Sequence, residues 1–169
     1  MDYYVLLLRI IHILGSAFWA GSVFLLTRYV SPAVSQAGPE GAKFMQKLVL
    51  GTRYVVAISA VAGLTVLSGL LLYWRDSGGL RGEWMATGTG VMFSIGGLAG
   101  LIALFTGSAL GSASRKLAAL GASLEGPPSP EQGAEIAGLQ NRLANLGAAT
   151  SILLIVSLIA MAIADYVFF

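Results

Sequence analysis

Long uncharged apolar runs dominate the chain, and the short stretches between them hold almost all of its charged residues. A helix needs roughly 20 mostly apolar residues to cross the bilayer hydrocarbon of about 30 Å. Four runs are long enough, and they predict spanning helices at about residues 3–29, 54–74, 84–114 and 143–167. The predicted fold is therefore all-α, an antiparallel bundle of four transmembrane helices that forms one domain over residues 1–169.

Two of the connections between these runs carry further helix signals. Glu40–Gly51 has the pattern of a short amphipathic helix that leads into the second span. In the third connection, Gly126-Pro127-Pro128 breaks the chain. Ser129-Pro130-Glu131-Gln132 then has the sequence of a capped helix start, with proline at the first helical position. The third and fourth helices are therefore predicted to project from the membrane as a helical hairpin.

The composition supports lipid as the solvent of this chain. Hydrophobic residues make up 56% of it and charged residues 11%, whereas soluble domains have about 45–50% and about 25%. The chain contains no cysteine, which excludes disulfides, iron–sulfur clusters, thiolate metal sites and cysteine catalysis. A net charge of +2 gives no reason to expect nucleic acid. The predicted partner is the lipid bilayer.

The distribution of basic residues predicts the orientation, because short cytoplasmic loops are enriched in lysine and arginine. The basic residues of the first connection are Arg28, Lys43, Lys47 and Arg53, and those of the third are Arg115, Lys116 and Arg142. In the second connection Arg75 and Arg81 are balanced by Asp76 and Glu83. We therefore expect a multi-pass protein with both termini outside. The first apolar run has no basic region before it and no convincing cleavage site after it, so we expect it to be retained.

The first helix has an unusual polar face. At about 100° per residue, one side carries His12, Gly15, Ser16, Trp19 and Val23, with Arg9 one turn before the histidine. The opposite side is aliphatic or small and carries Leu6, Leu7, Ile10, Leu14, Ala17, Phe24 and Leu25. Ionisable groups at membrane depth are costly, usually face the bundle interior and often serve function. The polar side is therefore predicted to face inward and the aliphatic side to face lipid.

Two methionines are predicted to lie at the depth of His12, namely Met92 and Met161. Imidazole and thioether ligands together suit haem iron or copper(I). We therefore predict a cofactor site for haem b or copper at His12, with Arg9 and Trp19 beside it and His12, Met92 and Met161 as metal ligands. In one alternative His12 ligates a metal with another partner. In another it is a structural histidine, hydrogen-bonded to a neighbouring helix, and the chain binds no cofactor.

Two further features have alternative interpretations. Arg9 and Asp165 come to a similar depth, where they would form an ion pair or else each extend to the outer interface. The third helix carries small residues at Gly96, Gly100 and Gly107. Such residues commonly let membrane helices pack closely, within one chain or against an oligomer or partner subunit. The alternative is a glycine-lined pore or cofactor slot.

Residues 9–21, Arg-Ile-Ile-His-Ile-Leu-Gly-Ser-Ala-Phe-Trp-Ala-Gly, resemble the first helix of a group of small bacterial membrane proteins. The group comprises copper-resistance-D-like proteins, uncharacterised relatives and HemJ-type protoporphyrinogen oxidases. Their shared pattern is matched by His12, Trp19 and Gly21, and residues 64–74 resemble the second helix of the uncharacterised relatives. The resemblance implies a helical bundle in the bacterial cytoplasmic membrane with haem b or copper at His12. HemJ-type enzymes use further polar residues in later helices, including histidine, whereas His12 is the only histidine here.

Hydrolytic functions find no support in the sequence. It has no phosphate-binding loop, no His-Glu-x-x-His motif and no Ser/His/Asp set, since one histidine would have to serve every role. We therefore predict no catalytic residues and favour a binding protein for electron transfer or metal handling. The first alternative is a structural or accessory subunit of a larger membrane complex without a cofactor. The second is a HemJ-like protoporphyrinogen oxidase.

Overall fold

The computed structural model describes residues 2–167, and every regular element within them is a helix. The α-helices are α1 (Tyr3–Leu25), α2 (Ser31–Gln36), α3 (Gly38–Leu50), α4 (Tyr54–Asp76), α5 (Gly82–Met85), α6 (Gly88–Ala122) and α7 (Pro130–Ile163). A π-helical turn, Leu26–Val30, joins α1 to α2, and a 3-10 turn, Ala164–Tyr166, follows α7. The predicted all-α fold class is confirmed.

Four helical segments are long and apolar enough to cross a bilayer: Tyr3–Gln36, Tyr54–Asp76, Gly88–Ala122 and Pro130–Tyr166. They form a bundle in which α1 packs against α4, α4 against α6, α6 against α7, and α7 against α1. The amphipathic helix predicted in the first connection is present as α3, and it packs against α6. The chain is thus a multi-pass integral membrane protein.

Small residues allow the helices to approach closely. A Cβ atom added at Gly96 of α6 would lie 2.9 Å from Met161 Cγ, so the methionine of α7 packs directly over the glycine. One turn nearer the middle of α7, Ser157 Oγ donates a hydrogen bond of 2.8 Å to the Gly96 carbonyl. A Cβ at Gly147 would lie 2.9 Å from Thr27 Cγ2. These contacts support bundle packing as a role of the glycines.

The observed ends of α6 and the start of α7 differ from the bounds that the uncharged runs predicted. Near Trp84, where a third span was expected to begin, the chain forms the single turn α5, and α6 starts only at Gly88 because Thr87 caps it by accepting from Gly90 N at 3.1 Å. At the other end α6 continues to Ala122, and α7 begins at Pro130, well before residue 143. The capping box predicted for the start of α7 is confirmed. An ion pair of 2.8 Å between Lys116 and Glu135 joins α6 to α7 near the connection between them.

The predicted orientation of α1 about its own axis is confirmed. Trp19 and Val23 are buried, while His12, Gly15 and Ser16 are partly buried. All seven residues of the aliphatic side are exposed in the isolated bundle: Leu6, Leu7, Ile10, Leu14, Ala17, Phe24 and Leu25. In the membrane that side faces lipid.

Candidate functional site

A cavity of about 650 Å³ lies between the helices in the half of the bundle that holds the chain termini. Side chains from α1, α4, α5, α6 and α7 line it, and most of them are apolar. Trp19, which is only 3% exposed, closes its inner end together with Leu154. Arg9, Asp76 and Asp165 lie at its outer end. The cavity is thus an apolar chamber with charged groups at one end.

His12 lines this cavity and is tied to the neighbouring helix. Its Nδ1 lies 2.8 Å from the carbonyl oxygen of Thr65 in α4. A carbonyl can only accept a hydrogen bond, so Nδ1 must carry the proton in this contact. In the neutral imidazole Nε2 then has a free lone pair, and among the described residues it has no hydrogen-bonding partner. The structure therefore fixes one nitrogen of the ring and leaves the other as an acceptor or ligand.

Two glycines make room for this contact between α1 and α4. A Cβ atom added at Gly69 would lie 2.7 Å from His12 Cε1 and 3.0 Å from His12 Nδ1. One added at Gly15 would collide with Thr65 Oγ1. Gly15 of α1 thus faces Thr65 of α4, and Gly69 of α4 faces His12 of α1. The position of the imidazole depends on both glycines.

The predicted site residues are not all brought together. Arg9, His12, Trp19 and Met161 line the same cavity, whereas Met92 does not. Met85 of the short helix α5 does line it, and the sequence analysis did not identify that residue. Met85 reaches the cavity because the helix is interrupted at Ala86 and Thr87, between α5 and α6.

The ion pair that one alternative expected between Arg9 and Asp165 is not formed. Arg9 and Asp165 both line the cavity, but they form no ion pair within 4.0 Å. Asp76 instead accepts from its neighbour Arg75, with an N–O distance of 3.0 Å. Within residues 2–167 the guanidinium of Arg9 therefore has no carboxylate partner.

An aromatic cluster ties α4 to α6 at this end of the bundle. The hydroxyl of Tyr73 lies 2.6 Å from Ser94 Oγ. The ring of Trp84 meets Tyr73 edge to face, with centroids 5.5 Å apart, and stacks on Phe93 at 6.3 Å. Since Tyr73, Ser94 and Phe93 also line the cavity, this cluster forms its wall on the α4–α6 side.

A second, smaller cavity of about 90 Å³ lies on the other side of Trp19. Its lining includes the hydroxyl-bearing residues Thr27, Tyr54, Ser59 and Ser108. Trp19 lines both cavities, so its indole separates them along the bundle. The larger cavity, with the histidine, is the candidate binding site.

Fold and cavity together define a class: a multi-pass, four-helix membrane protein with a large cavity between its helices, lined by one histidine. Comparison with known proteins gives no closer assignment, because no protein-family model, no curated protein and no solved structure matches the chain. Among residues 2–167 no group of three or more histidine, cysteine, aspartate or glutamate side chains could hold a metal ion. A metal at this site would thus depend on His12 with thioether or cofactor ligands.

Proposed function

We propose that the bundle binds haem b in the larger cavity, where His12 would hold the iron, and that it serves electron transfer. The observation that carries the proposal is the hydrogen bond of 2.8 Å between His12 Nδ1 and the Thr65 carbonyl oxygen. Metal-binding histidines almost always donate their second ring N–H to a carbonyl or carboxylate, which fixes the tautomer and the ring orientation. His12 has this arrangement, with Nε2 left for the metal.

The size of the cavity favours haem over a bare copper ion. Its volume of about 650 Å³ falls in the range of about 300–1,000 Å³ that is usual for small-molecule and cofactor sites. A copper(I) ion needs two to four soft donors close together instead of a large chamber. The soft donors that line the cavity are His12, Met85 and Met161, and nothing holds the three as one ligand set.

Other lining residues suit the chemistry of haem. Met161 also lines the cavity and could supply a second iron ligand, because thioether sulfur ligates haem iron in electron-transfer proteins. Arg9 has no carboxylate partner among the described residues and is suited to a haem propionate. Trp19 and the aliphatic lining exclude water from the inner end. Bound haem would supply a one-electron carrier within the membrane.

We further propose that the chain is a distant relative of the copper-resistance-D-like group and lies in a bacterial cytoplasmic membrane with both termini outside. The first part rests on residues 9–21, of which His12 and Trp19 line the cavity. The second rests on the basic residues of the first and third connections.

One alternative has an observation in its favour. The His12–Thr65 hydrogen bond would also suit a purely structural histidine, which holds α1 against α4 in an accessory subunit without a cofactor. The two functions differ in what the cavity contains, so the test is direct binding.

The test is the visible absorption spectrum of the protein purified in mild detergent after expression with ample haem, together with its iron and copper content. Haem b should give a Soret band in the wild type, and His12→Ala should lose it. Gly97→Leu should also bind less haem, because Gly97 lines the cavity and an added Cβ meets no atom within 4 Å, so the new side chain fills the chamber.

Gly63→Leu is the matched control. A Cβ atom at Gly63 also meets nothing within 4 Å, but this glycine lines neither cavity, so haem binding should be unchanged. A Soret band that survives His12→Ala would exclude His12 as the ligand. Absence of haem from the wild type would leave the accessory-subunit function, and bound copper without haem would favour metal handling.

A further inference from the structure

The carbonyl oxygen of Thr65, to which His12 donates, has a second side-chain donor. His12 Nδ1 lies 2.8 Å from this oxygen, and Ser68 Oγ lies 3.0 Å from it. In the helix α4 the same oxygen is also the regular acceptor for the backbone N–H of Gly69, four residues on. A carbonyl oxygen has only two lone pairs. Three donors therefore compete for one acceptor at the contact that holds the imidazole.

Ser68 differs from the other two donors because it has an alternative acceptor. Its Oγ also lies 2.7 Å from the carbonyl oxygen of Leu64, one turn earlier in α4. A hydroxyl carries one proton, which rotates to suit its acceptor, so Ser68 can donate to Leu64 or to Thr65 without movement of a helix. Among the described residues His12 Nδ1 has no acceptor besides Thr65. The strength of the His12 hydrogen bond thus depends on where the Ser68 hydroxyl points.

Burial makes this competition effective. Ser68 and Thr65 are only 3% and 4% exposed, and hydrogen bonds away from water are electrostatically stronger than those in water. Thr65 lines the larger cavity, whereas Ser68 lines neither cavity. Ser68 therefore acts on His12 through the shared carbonyl and not by touching a ligand.

We infer that Ser68 is a positioning residue of the His12 site: its hydroxyl, by sharing the Thr65 carbonyl, sets the strength of the His12 Nδ1–H hydrogen bond and, through the ring, the electron donation of Nε2. Two donors to one oxygen weaken each other, since each draws electron density that the other would use. The hydrogen-bond partner of a ligating histidine raises its basicity, so a weaker bond makes Nε2 a poorer donor. The shared carbonyl is independent of any cofactor, whereas the effect on a bound metal rests on the proposed haem site.

Loss of the Ser68 hydroxyl should therefore strengthen the bond of His12 to Thr65. In the cofactor-free protein the Nδ1 proton should move to higher frequency in the NMR spectrum, because a stronger hydrogen bond deshields the proton. In the haem-loaded protein the reduction potential should fall, because a more electron-rich imidazole stabilises oxidised iron more than reduced iron.

The first measurement needs no haem. His12 is the only histidine of the chain, so isotopically labelled histidine gives one ring signal in NMR spectra of the protein in detergent. Ser68→Ala should shift the Nδ1 proton to higher frequency. Ser68→Cys should shift it in the same direction, because a thiol fills similar space but donates weakly. Ser59→Ala is the matched control and should leave the proton in place, because Ser59 donates at 2.8 Å to the Val55 carbonyl of the same helix, which His12 does not contact.

Comparison of the amide spectra with that of the wild type shows whether each variant keeps the fold. An Nδ1 proton that stays in place in both Ser68→Ala and Ser68→Cys would overturn the inference, and so would an equal shift in Ser59→Ala.

The second measurement is the reduction potential of the haem-loaded protein, obtained by spectroscopic titration. Ser68→Ala should lie below the wild type, and Ser59→Ala should match it. An unchanged potential in Ser68→Ala would refute the effect on the cofactor. A shifted Nδ1 proton in a protein that binds no haem would support the role of Ser68 toward His12 and count against the proposed function alone.

Discussion

Replacing Gly69 by alanine should displace His12 and destabilise the bundle. The added Cβ atom would lie 2.7 Å from His12 Cε1, whereas ordinary carbon contacts lie at 3.4–4 Å. The imidazole must therefore move by about 0.7 Å away from α4, which stretches its 2.8 Å hydrogen bond to Thr65 beyond a useful length. Crowding a packed site costs about 1–3 kcal/mol, and a lost hydrogen bond costs about 0.5–1.5 kcal/mol.

The expected loss of unfolding free energy is thus about 1.5–4.5 kcal/mol, to be measured by titration with a denaturing detergent in mixed micelles. Gly63→Ala is the control, because a Cβ atom at that position meets nothing within 4 Å. Its effect should stay within about 0.5 kcal/mol. The cause is isolated by a double-mutant cycle: in a His12→Ala background the penalty of Gly69→Ala should largely vanish.

The reasoning would be refuted by a Gly69→Ala variant as stable as Gly63→Ala, or by a penalty that is unchanged once His12 has been removed. If haem binds as proposed, Gly69→Ala should also weaken its binding, since the ligating nitrogen moves with the ring. That spectroscopic readout separates displacement of the ligand from a general loss of packing.

Ser129→Ala should shorten or fray the start of α7, because it removes both the side-chain acceptor at Gln132 N and the capping box. The expected cost is about 1 kcal/mol, seen as faster amide exchange in the first turn, and Ser123→Ala, outside that cap, should not change it. For orientation, Ser35→Cys and Glu83→Cys place single exposed thiols in the first and second connections. A membrane-impermeant thiol reagent should label Glu83→Cys from outside and Ser35→Cys only after the membrane is opened; the reverse pattern would overturn the predicted topology.

The fold was accessible from the sequence because hydropathy and capping are local properties. Uncharged runs of sufficient length, the breaker at Pro127 and the cap at Ser129 each act within a few residues. The inward face of α1 followed for a similar reason, since helical periodicity alone puts His12, Gly15 and Trp19 on one side. The C-terminal end of α6 was harder to predict, because beyond its uncharged run the helix continues to Ala122 and packs against α7, with Lys116 paired to Glu135.

The site was only partly predictable, since counting residues gives the depth of a side chain but not its direction around the helix axis. Met92 and Met161 were placed at one depth, but α6 is rotated by its contacts at Gly96 with Met161 and Ser157, and Met92 does not line the cavity. Met85 reaches the chamber because the chain turns between α5 and α6. The partner of His12 is a backbone carbonyl. Every residue has such a group, so the residue types along the chain could not identify this partner.

The position of Trp19 between the two cavities has an electrical consequence. The indole of Trp19 and the apolar lining of the larger cavity keep water away from the middle of the bundle, so much of the membrane potential falls across this part of the protein. A charge that crosses the full field gains or loses about 2.3 kcal/mol per 100 mV. A redox group at His12 would lie within this field, so its exchange of electrons with either side of the membrane would work with or against a part of the potential.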